Sequence, residues 1–359
     1  MKNFVLLLVC FVLGFWLSAI ELCAQSPKDF SGPKNAKFVK GTVSLPNDSG
    51  QTWVSYDITA YTSRFPEVRV PQRTILNWIL ADTTQKFWYG KPFGLLNATR
   101  ENLYVYHEPK VQQYVSNVID RFVDPQKKDS LFSVRIITTR LPDWRAKVAD
   151  KVRPYPVKAK DVQGWLATRE DAVKIAEELA TRSDFRELNV ARDTVAHGET
   201  FGWVYAPPVK TYIRDYLASS KDKVGYVVDK GSVDEGYRFE TTILKSTNGQ
   251  QIEFLFRGES TVISKMYPIH LKISPVNAPL QTLAVELPQI LPCERQEKIS
   301  FPVEQVFLLD LGMFPLLFSA ENNEDFSLSN VFSNKTLFCN VLVMVQAIQA
   351  TPPANAAKR

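Results

Sequence analysis

Apolar and polar residues alternate most clearly in one stretch, Tyr237 to Val262. Phe239, Thr241 and Ile243 fall on one face of an extended run, and Ile252, Phe254 and Phe256 fall on one face of the next. Asn248-Gly249 lies between the runs. That pair predicts a hairpin with a type I′ turn, which needs positive φ at both central residues. A lone ribbon of this kind is not stable and calls for further strands. Candidates are Leu131–Leu141, Phe185–Arg192, Thr200–Tyr205, Val209–Tyr216, Thr282–Leu287, Ile299–Leu309 and Leu337–Ile348. Residues 128–350 therefore read as a β-rich domain with a long β-hairpin.

Helical periodicity governs the earlier part of the chain. Pro71 opens a helix carrying Ile75, Leu76, Ile79 and Leu80 on one face. Lys86–Tyr89 and Asn102–Tyr106 read as strands. Pro109 opens a second helix with Val111, Tyr114, Val115, Val118, Ile119 and Phe122 in one apolar stripe, stopped by Asp124-Pro125. The order helix-strand-strand-helix makes residues 51–127 a small α+β domain, so the fold class is α+β. Residues 25–50 carry Pro27, Gly32-Pro33, Pro46 and Gly50, and read as a linker with one short strand over Lys37–Val43. Inside the larger domain, Thr168 and Asp171 resemble a capping box before a helix with Ala172, Val173, Ala176, Leu179 and Ala180 on its apolar face. Residues 351–359, TPPANAAKR, read as a disordered tail.

Composition adds limits rather than a function. The 359 residues are 45% hydrophobic and 23% charged, enough for two cores. A net charge of +5 does not demand nucleic acid, and no basic-aromatic nucleic-acid motif accompanies it. Residues 1–24 read as an export signal: Lys2, an apolar run from Phe4 to Trp16, and Ala24 before the expected cleavage point. Removing that segment takes Cys10 and Cys23 with it. Cys293 and Cys339 remain, in a compartment that permits disulfides. They are either bonded to each other or two buried thiols. Between Arg140 and Lys160 stand seven Lys or Arg against two Asp. Such a run is either solvated surface or a contact for an anionic lipid or polymer.

Catalytic chemistry finds no foothold. The three His residues, His107, His197 and His270, are far apart in the chain. His197 lies near Asp193 and Glu199, but Gly198 makes that segment a polar turn rather than an acid–base site. The acidic run Glu321–Asp325 is ordinary loop chemistry. No HExxH, GxSxG, P-loop or GxGxxG motif is present. The expectation is a non-enzyme with no cofactor and no metal site.

The order of several short motifs resembles the C-terminal domain of bacterial secretins, ring-forming channels of the outer membrane. The helix over 169–182 followed by Arg182–Leu188 resembles that family's helix and short strand. Val195–Thr200, with Gly198, resembles its Gly-containing turn. Val233–Phe239, with Gly236, resembles the start of its long hairpin, which here turns at Asn248-Gly249. Thr282–Pro288 and Ile299–Gly312 resemble its later strands, with Pro288 and Gly312 at motif positions, and Lys335–Ile348 resembles its closing strand. Leu103–Tyr106 with the helix over 109–123 is similar to the periplasmic ring-building domains that precede the secretin domain. The pattern is degenerate: Ile243 replaces a Pro, Asp310-Leu311-Gly312 replaces a double Gly, and one ring-building domain stands in place of several. The resemblance implies an exported structural subunit in the periplasm or outer membrane. It implies assembly with copies of itself through open strand edges, expected at the hairpin over 237–262 and at Ile299–Leu309. It also implies contact with the outer membrane, and partners among other envelope or secretion components. The alternative is a soluble periplasmic binding or scaffolding protein that keeps the fold without a pore.

Residues up to Ala24 are expected to be absent from exported protein. Intact-mass measurement of that material, with Gln25 as the new terminus, checks this; a mass that retains Lys2 contradicts it.

Overall fold

The computed structural model describes residues 30–188, 192–218, 226–273, 280–317 and 336–348. The export signal 1–24, the acidic run 321–325 and the tail 351–359 lie outside the described residues. The chain forms two compact units that meet in sequence between Asp124 and Pro125. It is β-rich, of α+β class.

The first unit is built on an antiparallel sheet of β1 (Phe38–Gly41), β2 (Thr52–Asp57), β3 (Leu95–Ala98) and β4 (Asn102–His107), in the order β1-β2-β4-β3. Helices α1 (Thr59–Thr62), α2 (Gln72–Trp88) and α3 (Pro109–Val123) accompany it. Ile75, Trp78 and Ile79 of α2, Val115, Ile119 and Phe122 of α3, and Val54, Tyr56, Leu103 and Val105 of the sheet are buried. The predicted α3 stripe is the packed face, except for the half-buried Tyr114, whose hydroxyl donates to Asp82 at 2.6 Å. Three strands differ from expectation, one of them β3, which the sheet gains. Lys86–Trp88 is the last turn of α2, because Trp88 buries its ring there and its indole N–H donates to Thr83 one turn back at 2.8 Å. The sheet gains β2, where Val54 and Tyr56 alternate with half-buried residues. Phe30 and β1, from the segment read as a linker, pack onto it, with Phe30 and Phe38 both against the Tyr56 ring.

The second unit has three layers. A seven-stranded sheet contains β5 (Leu131–Thr139), β6 (Arg153–Tyr155), β7 (Gln163–Ala167), β8 (Arg186–Glu187), β9 (Thr194–Ala196), β16 (Val306–Leu317) and β17 (Thr336–Ala347). One face carries α4 (Trp144–Lys147) and α5 (Arg169–Ala180), through Ile175, Ala176 and Leu179 against Leu308, Leu342 and Met344. The other face meets a four-stranded sheet, ordered β10 (Thr200–Tyr205), β13 (Gly236–Lys245), β14 (Gln251–Ile273) and β15 (Gln281–Pro302). Phe239, Ile243, Ile252, Phe254, Phe256 and Phe301 interleave there with Val134, Phe307, Leu309 and Val343. Burying each such side chain contributes about 1.5–3 kcal/mol. Strands β16 and β17 are covered on both faces, which is why they read as continuous apolar runs rather than alternating ones.

The predicted hairpin is β13–β14, with every predicted core residue buried. Its turn is not type I′. The Gly249 N–H donates to Ser246 O at 2.9 Å, so Thr247 and Asn248 hold the central positions and Gly249, at φ +75°, follows them. Ser246 and Asn248 side chains bond inside the loop, which stabilises this longer form. Ile299–Leu309 is two strands: Pro302 ends β15, and the Gln305 N–H closes a turn onto its carbonyl at 3.2 Å. Of Phe185–Arg192, the two residues of β8 form a strand, and 189–191 lie outside the described residues. The Thr168 cap is as expected, its hydroxyl accepting from the Asp171 N–H at 3.1 Å. Val173 is 57% exposed, however, and Ile175 takes its place in the core.

A buried polar knot lies at the bulge in β16. The fully buried Asp310 carboxylate accepts from Arg145 Nε at 2.6 Å, Asn340 Nδ2 at 2.6 Å and the Gly312 N–H at 2.7 Å. Trp144 Nε1 donates to Asn340 Oδ1 at 2.7 Å. Gly312 has φ +77°, and a Cβ there would come within 2.9 Å of Asp161 O, so only glycine fits the bulge. Cys293 in β15 and Cys339 in β17 are free thiols, so the possible disulfide is not formed. The two strands belong to different sheets, each cysteine packing on the shared core from its own side. Burial pushes the Cys339 thiol up to about 11 and raises that of Cys293.

Two outcomes follow. Asp310→Ala should lower the unfolding free energy by about 3 kcal/mol in denaturant titration, because it strips a buried charge partner from Arg145 and an acceptor from Asn340. Alkylation of native protein near neutral pH should leave Cys339 unmodified, and both cysteines should react after unfolding without reductant. A requirement for reductant would show a bond.

Candidate assembly surface

The predicted motif residues do not converge on a pocket; they mark turns and bulges. Gly198, in the turn before β10, donates its N–H to Ile243 O at 2.8 Å. Asn248 and Gly249 are the β13–β14 turn, Gly312 the β16 bulge, and Pro288 a position in β15 opposite Met266. Gly236 is the most demanding of them. It has φ +138°, and a Cβ would sit 2.1 Å from Tyr205 O. The chain passes tightly against the end of β10 there as β13 begins.

The start of β13 sets the surface. β14 and β15 pair without a break in the ladder from Gln251–Pro302 to Ile273–Gln281, apart from one bulge between Ile263 and Lys265. Twenty-two residues of β15 at about 3.3 Å each give a ribbon about 70 Å long. β13 covers β14 only as far as the Gly236–Thr261 pair. Immediately beyond, the buried Glu235 carboxylate accepts from the Ile263 N–H at 2.6 Å and lies 3.6 Å from Lys210 Nζ. A side chain thus takes the hydrogen bond that a continuing strand would have taken. Past it, among the described residues, the outer edge of β14 has no strand beside it.

The hairpin of β11 (Lys210–Ala218) and β12 (Tyr226–Val233) lies along β15. It is held there by the Ile213 N–H donating to Glu286 Oε2 at 3.0 Å and by the Tyr216 hydroxyl donating to Ala284 O at 3.1 Å, not by a ladder. β12 pairs with β11 alone, so its outer edge is also open among the described residues. The expected open edges hold only in part. The hairpin over 237–262 is interior to its sheet, and Val306–Leu309 lies in β16 between β7 and β17, whereas Ile299–Pro302 lies in β15, an outer strand of its sheet. The far half of β14 and β12 are two further open edges among the described residues.

Sequence reasoning missed both, although the far half of β14–β15 does carry an alternating signal: Tyr267, Ile269, Leu271 and Ile273, then Leu283, Val285 and Leu287. Pro268, Pro288 and Pro292 masked it, since proline argues against a strand.

The described histidines sit in structural settings. His197 is fully buried and its Nδ1 accepts from the Lys245 N–H at 3.1 Å, a structural bond. His107 belongs to the first unit, stacked 5.0 Å from Phe87, where burial lowers its pKa. Among the described residues no group of His, Cys, Asp and Glu has metal-holding geometry. Within the basic run over 140–160, two side chains are tied into the fold: Arg145 binds Asp310, and Lys151 lies 3.6 Å from Glu178. Among the described residues no helix is long and apolar enough to cross a membrane. What the surface offers is backbone donors and acceptors on two edges, and apolar side chains on an exposed ribbon.

No family model matches the chain, and no curated protein does. Among solved structures the chain is similar to the InvG secretin domain β-barrel from the Salmonella SPI-1 injectisome NC-base. The identity is 11%, the match covers 90% of this chain and 88% of that one, and the TM-score is 0.16. At that score the likeness carries no argument about fold or function.

Proposed function

We propose that this chain is a structural subunit that joins copies of itself edge to edge, forming a secretin-like ring or channel in the cell envelope. The observation that carries this is the pair of open edges, the far half of β14 and β12, at the two sides of the group β14-β15-β11-β12, in which β11 is tied to β15 through side chains. Two different edges favour a head-to-tail contact, which closes into a ring when the rotation permits and otherwise grows into fibres. Pairing satisfies backbone groups that a monomer leaves open. The protein is read as non-catalytic, exported, and placed in the periplasm or outer membrane. Other envelope or secretion components are its natural further partners.

One observation favours the alternative, a soluble scaffold or binding protein. Pro268 and Pro288 each remove a backbone donor from the exposed ribbon, and prolines of this kind blunt edges against pairing. Sedimentation and electron microscopy of the purified chain separate the two. The ring reading expects a large, uniform homo-oligomer with rotational symmetry; a monodisperse monomer at micromolar concentration overturns it in favour of the scaffold.

A further inference from the structure

The far half of the β14–β15 ribbon has two unlike faces. On one, Tyr267 stands opposite Leu287, Ile269 opposite Val285, and Leu271 opposite Leu283, with Ile273 beyond. On the other, Pro268 stands opposite Glu286, His270 opposite Ala284, and Lys272 opposite Thr282. The apolar face continues the core face of β15: Phe301 and Ile299, which pack against the seven-stranded sheet, lie on the same side as Leu287, Val285 and Leu283. The bulge at Ser264 brings β14 into phase with it. The covering sheet stops, and the apolar face goes on. Tyr267 is 40%, Ile269 42% and Leu287 55% exposed.

We infer that this face, over Lys265–Ile273 and Gln281–Gln289, is a lipid-contacting band. The inference rests on the ring reading, in which copies meet at strand edges and leave the faces to their surroundings. Length supports it: nine residues span about 30 Å, and a tilted membrane strand needs about 9–11. So does alternation, with apolar side chains on one face and His270, Lys272 and Glu286 on the other. The inner end of the stripe has the composition of a membrane–water boundary. Lys265 Nζ lies 4.5 Å from the Tyr267 ring centre, and the Tyr267 hydroxyl donates to Gln289 Oε1 at 3.2 Å. An aromatic ring with a wet polar tip at the end of an apolar band is the arrangement found at that boundary.

The test uses the full chain with vesicles of phosphatidylethanolamine and phosphatidylglycerol that carry a photoactivatable phosphatidylethanolamine. Flotation measures binding, mass spectrometry maps the adducts, and light scattering in vesicle-free buffer measures oligomer size. The wild type should float, with adducts confined to the peptides covering 265–273 and 281–289. Ile269→Asp combined with Leu287→Asp should cut flotation at least tenfold without changing oligomer size, while His270→Asp should float like wild type. Adducts elsewhere, or undiminished flotation of the double variant, overturn the lipid band and leave an intact oligomer standing. Loss of the oligomer in the double variant without vesicles shows that a second copy covers the face, which also overturns it. A monomer that floats with the expected adducts supports the band and removes the ring. Adduct mapping on wild-type protein keeps the inference testable even if the double variant does not fold.

Discussion

The second unit depends on a single long ladder. β14 and β15 pair over more than twenty residues, and a slip of one residue would send every side chain to the opposite face. The register is anchored where burial is greatest. Phe254 lies opposite Ile299 and Ile252 opposite Phe301, all within the core between the sheets. Moving Phe254 out and Glu253 in would strand a carboxylate in that core, at a cost no edge contact could offset. The exposed half inherits its register from the buried half. That is how a ribbon with little packing of its own keeps a defined apolar side.

Local patterns reach the reader of the sequence where one face is buried and the other wet. The β13–β14 core residues, the α3 stripe and the Thr168 cap were legible for that reason: each is set by neighbours within a few residues. β7 and β12 were not. β7 is short, and its place beside β16 depends on a partner 140 or so residues away. β12 mixes Asp229 and Lys230 with valines of which Val227 and Val228 are exposed and Val233 alone, next to β13, is buried. The assembly surface was half legible. Its hairpin was visible and Ile299–Pro302 does lie on an outer strand, but the hairpin was misread as an edge, since edge and interior differ only in what pairs on the far side. That information lies in β10 and in the point where β13 stops.

The buried polar groups follow one logic. Glu235 and Asp310 each sit at a break in regular pairing and supply an acceptor where the ladder fails: Glu235 to the Ile263 N–H beside the β14 bulge, Asp310 to the Gly312 N–H within the β16 bulge. A buried carboxylate is costly unless it is saturated, and both have cationic partners, Lys210 and Arg145. Bulges therefore come with a nearby acid and base. In sequence such an acid resembles a catalytic residue, and its partner resembles surface charge. Only the backbone donor it meets reveals the role.

Glu235 carries this logic to the boundary between the two halves of the ribbon. A strand that continued beside β14 past Thr261 would occupy the donor of Ile263, and its partners would extend the sheet. By filling that one position with a carboxylate, the chain ends the sheet on that side while leaving the following residues of β14 open. The same step frees β12 to leave for β11, because Gly236 allows the backbone to turn sharply against Tyr205. Termination and exposure are thus the same event. The residues that stop the internal sheet are those that create an edge for another strand, so the open edge follows from how the core is closed.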